Sequence, residues 1–230
     1  MTLAIIPARG GSKRIPRKNI KLFDGMPVIS FAIEAEKKSK LFDRIIVSTE
    51  DLEIAGIAKQ CGAEVPFMRP MELSGDHVTT GDVMKWSVSV YEDFGITSEY
   101  VCCIYPVNPL LAFEDLIHAR EIIDEKKAHF CFPVAPFPSK IERALKFESN
   151  LKLTSINSDY ELMRTQDIEL KYYDAGQFYW GKRTSWLANL PIHNNSVGLV
   201  LPTWRAVDID EESDWVRAEL AYKFFSEGRL

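Results

Sequence analysis

Leu3-Ala-Ile-Ile-Pro7, followed without a break by Ala8-Arg-Gly-Gly-Ser-Lys-Arg-Ile-Pro-Arg-Lys-Asn19, is the stretch on which the fold turns. Five mostly apolar residues suit a strand buried on both faces, and a glycine-rich basic segment at its carboxyl end suits a ligand loop. Gly10 and Gly11 let a backbone wrap closely around an anion, since positive φ is open to them and no Cβ blocks approach. Amides from Ala8 onward and the Ser12 hydroxyl can then cradle phosphate oxygens, while the loop's arginines and lysines neutralise them. The run matches neither the P-loop spacing nor the dinucleotide fingerprint. A solvated basic loop would carry the same charges, but the position of Gly10-Gly11-Ser12 directly after a strand favours anion binding.

Working outward, apolar runs at Arg44–Ser48, 63–68, 100–105 and 130–135 read as further strands. Helical patterns fill 27–39, 51–60, 79–94 and 113–126; the third places Val83, Trp86, Val90 and Phe94 on one face. Strands alternating with helices predict right-handed βαβ units, hence an α/β fold with a mainly parallel sheet covered on both faces. Residues 138–173 break that rhythm with polar, short-patterned sequence ending in Tyr172-Tyr173, and read as an inserted arm in a single domain spanning 1–230. Strand candidates at 176–180 and 197–201 follow, and a closing helix at about 211–225 carries Trp215, Ala218, Tyr222 and Phe225 on one stripe.

The balance of 28 basic against 33 acidic residues excludes a general nucleic-acid binder. The distribution says more than the sum. Residues 9–21 hold six cations and no acid, whereas Asp208, Asp210, Glu211, Glu212, Asp214 and Glu219 crowd residues 208–219. Asp208 and Asp210, two apart at strand spacing, point to one face. Such a pair suits a hard cation such as Mg²⁺; the alternative is that Asp210 caps the closing helix. Cys61, Cys102, Cys103 and Cys131 make no Cys-x-x-Cys pair and read as reduced thiols. His77, His118, His129 and His193 show no ligand spacing and read as structural or surface residues. With no apolar segment long enough for a bilayer and no secretory pattern at the start, the expectation is a cytoplasmic protein without membrane partners.

Ile5-Ile-Pro-Ala-Arg-Gly-Gly-Ser-Lys-Arg-Ile-Pro-Arg-Lys-Asn19 resembles the signature loop of the CMP-sialic acid synthetase family of cytidylyltransferases. Val47-Ser-Thr-Glu-Asp51, Phe67-Met-Arg-Pro70, Tyr105-Pro-Val-Asn-Pro-Leu110 and Asp208-Ile-Asp210 resemble its downstream motifs, so the likeness covers essentially the whole chain. It implies a Rossmann-like nucleotidyltransferase fold with a small dimerisation arm, and a homodimer. It implies that Arg9, Lys13 and Lys18 hold the triphosphate of CTP, that Ser12 and Asn19 approach the nucleotide, and that Arg69 lies near the base. Asp208 and Asp210 would bind Mg²⁺, and Arg9, Lys18 and Asp210 would form the catalytic set. The implied reaction joins CMP to the anomeric hydroxyl of a nine-carbon acidic 2-keto sugar and releases pyrophosphate.

Tyr105, Arg164, Gln166, Asp174, Gln177 and Tyr179 are the sugar-site candidates. Arg164 can fork onto a carboxylate, and Gln177 and Tyr179 alternate with Phe178 and Trp180 so that one strand face carries polar groups. The family commonly has Asn-Gly-Ala-x-Tyr in that region, Gly at the Arg14 position and Gln at the Tyr105 position. All three departures resemble its pseudaminic acid branch, whose sugar ends in a methyl group. Sialic and legionaminic acids are the alternative sugars, and a non-catalytic nucleotide- or sugar-binding relative is the alternative class. A Kdo enzyme is disfavoured by the missing Gly-Asp-x-Pro turn.

Overall fold

A computed structural model describes residues 1–226. Its elements run β1 (Leu3–Pro7), β2 (Leu22–Phe23), β3 (Met26–Pro27), α1 (Ile29–Ser39), β4 (Arg44–Ser48), α2 (Leu52–Gln60), α3 (Thr80–Asp93), β5 (Tyr100–Ile104), α4 (Phe113–Lys126) and β6 (Phe130–Pro136). Then come β7 (Leu145–Phe147), β8 (Leu153–Ser155), β9 (Tyr172–Asp174), β10 (Phe178–Lys182), α5 (Arg183–Leu187), β11 (Ser196–Val200) and α6 (Glu212–Ser226). The main sheet is ordered β11-β6-β10-β5-β1-β4, with β9 added beside β6. β1 is parallel to β4 and β5, and β11 to β6, whereas β10 runs antiparallel between β5 and β6. This is the expected α/β architecture with one reversed inner strand.

Both faces of the sheet are covered, which is why its strands read as unbroken apolar runs. Ala4 and Ile6 of β1 pack with Ile29, Ala32 and Ile33 of α1 and Leu116 and Ala119 of α4. Leu3 and Ile5, pointing the other way, meet Met84 and Val88 of α3 and Trp186 of α5. Local signals fix the helix starts: Asp51 accepts from the Glu53 and Ile54 amides ahead of α2, and Thr79 and Asp82 form a capping box ahead of α3. Two expectations need correction. Residues 63–68 form no strand, because Glu64 alone bridges to Ile46. The buried stripe of α3 is Val83, Met84, Ser87, Val88 and Tyr91, whereas Phe94 is exposed and meets Phe67 at a tilt, ring centroids 4.4 Å apart.

A third cluster explains how distant charges meet. Ile15, an apolar residue inside the basic loop, is fully buried with Phe23, Val28, Ile209, Trp215 and Ala218. It ties the loop after β1 to the segment before α6. Arg205 fixes that segment from behind through a bidentate bond to Asp115 of α4, at 2.6 and 3.1 Å. Residues between β6 and β9 form the small β7–β8 hairpin and several short turns, pinned where Lys140 Nζ donates to the Ile168 carbonyl at 2.7 Å.

Cys102, Cys103 and Cys131 are buried, Cys61 is half-buried, and all four are free thiols. Glu36 of α1 is fully buried, and neither carboxyl oxygen has a partner. Burial pushes its carboxyl well above the ordinary value. Its contribution to folding is therefore complete only below the ordinary carboxylate range and fades as pH rises through the raised value. Glu36→Met should raise Tm by about 5 °C at pH 8 and by clearly less at pH 5, measured by thermal unfolding. Equal gains at both pH values would locate the cause elsewhere.

Candidate active site

The carboxyl ends of β1 and β5 open into a cavity of about 610 Å³. It is lined by Arg9, Ser12, Lys13, Lys18 and Asn19 of the basic loop, by Arg69, Thr80 and Tyr105, and by Asp208 and Asp210. The cationic loop and the acidic segment, some 190 residues apart in sequence, thus meet at one cavity. Lys18 Nζ donates to the Ile209 carbonyl at 2.6 Å and to Asp210 at 3.2 Å, and Arg14 pairs with Asp210 at 2.9 Å. Ile209 points into the core, so the two aspartates flanking it turn together toward the cavity.

Asp208 is exposed to solvent within the cavity although protein surrounds it densely. That crowding first, and the charge of Asp210 second, push its carboxyl above the ordinary value. Two carboxylates that repel in this way fit a hard divalent cation, and as a pair they leave coordination positions for substrate oxygens. Among the described residues no cluster of three or more His, Cys, Asp or Glu side chains forms a ready-made metal cage. Asp210 does not cap α6: Asp214 accepts from the Asp210 and Glu211 amides at 3.1 and 3.0 Å.

The turn after β4 braces the loop. Glu50 accepts from the Gly10 amide at 2.7 Å and from Arg69 at 2.6 Å. Burial works against ionisation of Glu50, but these bonds and one from its own amide outweigh it and hold the carboxyl below the ordinary value. Asp51 takes both guanidinium nitrogens of Arg17 at 2.5 and 3.0 Å, and that bond chiefly holds its carboxyl at about 2. A Cβ on Gly10 would press into the Asp51 carboxylate, so only glycine fits there. Asn19 is buried and donates to the Arg9 carbonyl at 2.8 Å. Ala8 is fully buried at the strand end. Thus Gly10, Asn19 and Arg69 spend their polar groups on holding the loop. Among the described residues nothing in the chain engages the amides of Gly11 and Ser12.

The sugar candidates separate into three groups. Tyr105 lines the cavity; its hydroxyl lies 2.8 Å from that of Thr80, and burial pushes it up to about 12. Asp174 and Tyr179 stand one layer behind. Asp174 accepts from the Gly176 amide at 2.9 Å, from Tyr179 at 3.0 Å and from His193 at 3.1 Å, and Tyr179 meets Tyr105 edge-on at 5.5 Å. Gly176 has φ +63°, and a Cβ there would lie 3.6 Å from the Asp208 side chain. Gln177 turns away from the cavity, donating to the Arg205 carbonyl at 2.7 Å, so the ligand-facing polar array expected on this strand is an internal one. Arg164 and Gln166 are exposed on the arm and do not line the cavity, and Arg164 pairs at 3.4 Å with Asp167. Asp76, Thr80 and His193 are near-site residues that sequence reading missed; a lone polar residue in a loop gives no periodic signal.

A mixed α/β sheet with a phosphate-type loop and a carboxylate pair at its strand ends defines a nucleotidyltransferase-like site. The family model described as Cytidylyltransferase matches residues 3–201. Pseudaminic acid cytidylyltransferase of Campylobacter jejuni subsp. jejuni serotype O:2 is 37% identical over 96% of both chains. CMP-N,N'-diacetyllegionaminic acid synthase of Legionella pneumophila is 30% identical over 94% of both. In fold, the chain is similar to a CMP:2-keto-3-deoxy-manno-octonic acid synthetase solved with CTP, with TM-score 0.68, 17% identity and coverage of 96% and 99%. The chain belongs to the cytidylyltransferase family.

Proposed function

We propose that this enzyme transfers CMP from CTP to the anomeric 2-hydroxyl of pseudaminic acid, releasing pyrophosphate. The observation that carries the reaction is the meeting of the Arg9–Lys18 loop and the Asp208–Asp210 pair in the lining of one cavity. Arg9, Lys13 and Lys18 would neutralise the triphosphate and orient it for in-line attack on the α-phosphorus. The unengaged amides of Gly11 and Ser12 add fixed dipoles for the same charge. Asp208 and Asp210 would hold Mg²⁺, which when bound supplies Lewis-acid stabilisation of phosphoryl charge. No membrane-crossing helix occurs among the described residues, and the free thiols suit the reducing cytoplasm, where we place the enzyme.

Support for the sugar comes from the Campylobacter relative and from the aromatic wall that Tyr105 presents to the cavity, backed edge-on by the buried Tyr179. A methyl-ended sugar loses no hydrogen bonds on entering such a wall, whereas each unpaired hydroxyl costs about 1–3 kcal/mol. Pseudaminic acid should be preferred over N-acetylneuraminic acid by at least about tenfold in kcat/KM. Mass spectrometry of products from equal concentrations of both sugars with limiting CTP tests this. Predominant CMP-N-acetylneuraminate would reject the sugar while leaving the class intact.

The arm supports a homodimer. Leu145, Phe147, Leu151, Leu153, Ile156 and Leu162 are all more than half exposed on it, a concentration that water disfavours and a second copy would cover. In that arrangement Arg164 and Gln166 would reach the neighbour's sugar site. Light scattering at micromolar concentration should give twice the 26.3 kDa chain mass; a fully active monomer would contradict it.

A further inference from the structure

Asp76 brings a carboxylate into the phosphate loop from a distant part of the chain. Its Oδ1 accepts from Arg9 Nη1 at 2.9 Å and its Oδ2 from Lys13 Nζ at 2.6 Å. These donors are the ones the cavity offers to phosphate, and a carboxylate, like a phosphoryl group, presents acceptor oxygens alone. The hydrogen bonds from Lys13 and then Arg9 hold the Asp76 carboxyl below its ordinary value, so it is an anion at neutral pH. Two converging cations are thereby satisfied by the protein itself.

The contact is built to be undone. Its carrier, the loop between Arg69 and α3, is anchored at both roots: Ser74 Oγ donates to Glu50 at 3.1 Å, and Thr79 caps α3. Between those roots Gly75, Asp76 and His77 are exposed. The paired side chains are also open to water, at 44% for Asp76, 41% for Arg9 and 80% for Lys13. Ion pairs this exposed are weak. A polyanion, with more charge and more acceptor oxygens, outcompetes a single carboxylate for the same donors.

We propose that Asp76 is an affinity-setting residue of the nucleotide site, holding Arg9 and Lys13 in place of phosphate and being displaced when the triphosphate binds. This rests on the reading of the cavity as the CTP site. It gives the loop ordered side chains before substrate arrives, and it lowers affinity for any phosphate, the departing pyrophosphate included.

Calorimetric titration with inorganic pyrophosphate, without added divalent cation, isolates the phosphate contacts from those of base and sugar. Asp76→Asn should tighten pyrophosphate binding by about three- to tenfold, whereas Glu72→Gln, an exposed acid on the same loop, should leave it unchanged. The gain should vanish when Arg9 and Lys13 are both replaced by Ala. Unchanged or weaker binding by Asp76→Asn overturns the proposal. So does a gain that persists without Arg9 and Lys13, since it would reflect net charge rather than competition. If the Arg9→Ala, Lys13→Ala protein, its fold checked by circular dichroism, binds pyrophosphate as tightly as wild type, the phosphate-site reading itself fails and the proposal goes with it.

Discussion

Replacing Asp210 by Asn should lower kcat by about a hundredfold or more with little change in Tm. The substitution keeps volume and leaves a side-chain oxygen for Arg14 and Lys18, but it removes the formal charge that a divalent cation requires. The fold should tolerate it because Asp210 anchors no helix: Asp214 caps the start of α6, and Ile209 and Trp215 carry the packing. Asp208 alone would then face the cavity, and a single carboxylate holds a hard cation poorly against water. Steady-state turnover in saturating Mg²⁺, beside a thermal melt, decides the point. Near-wild-type kcat would reduce Asp210 to a counter-ion for Lys18 and Arg14. A large drop in Tm would make it a structural residue.

How much of this could be read before folding depends on the range of the signal. β1, β4, β5 and β6 were legible because strands buried on both faces leave unbroken apolar runs. The direction of β10 was not, since a period of two is the same whichever way a strand runs. Residues 63–68 have strand-like composition but pair through one bridge, because the chain turns off at once toward Arg69. The basic loop and the Asp208–Asp210 pair were legible as compact local patterns. Their meeting was not, because it depends on Ile15 and Ile209 sharing one apolar cluster. Glu50 and Asp76 were silent for the same reason: their partners lie 19 to 67 residues away, and nothing beside them in sequence points there.

Arg9→Ala should lower kcat/KM for CTP by about a hundredfold, whereas Lys38→Ala, exposed on α1, should not change it. The Arg9 side chain enters the cavity directly from the end of β1, so its position is set by a buried inner strand of the sheet. Its backbone is held separately, through the Asn19 bond to its carbonyl and the Ala8 amide bond to Ser48. Truncation therefore removes the guanidinium while the loop keeps its course, and the loss measures charge and hydrogen bonding rather than unfolding. The split between constants carries the mechanistic content. A rise in KM alone would mean that Arg9 holds the ground-state triphosphate and the transition state equally. A fall in kcat would mean that its bonds strengthen as charge builds on the departing pyrophosphate, the expected result for a donor fixed before reaction. Matching behaviour of Arg9→Ala and Lys38→Ala would remove the phosphate loop from the mechanism altogether.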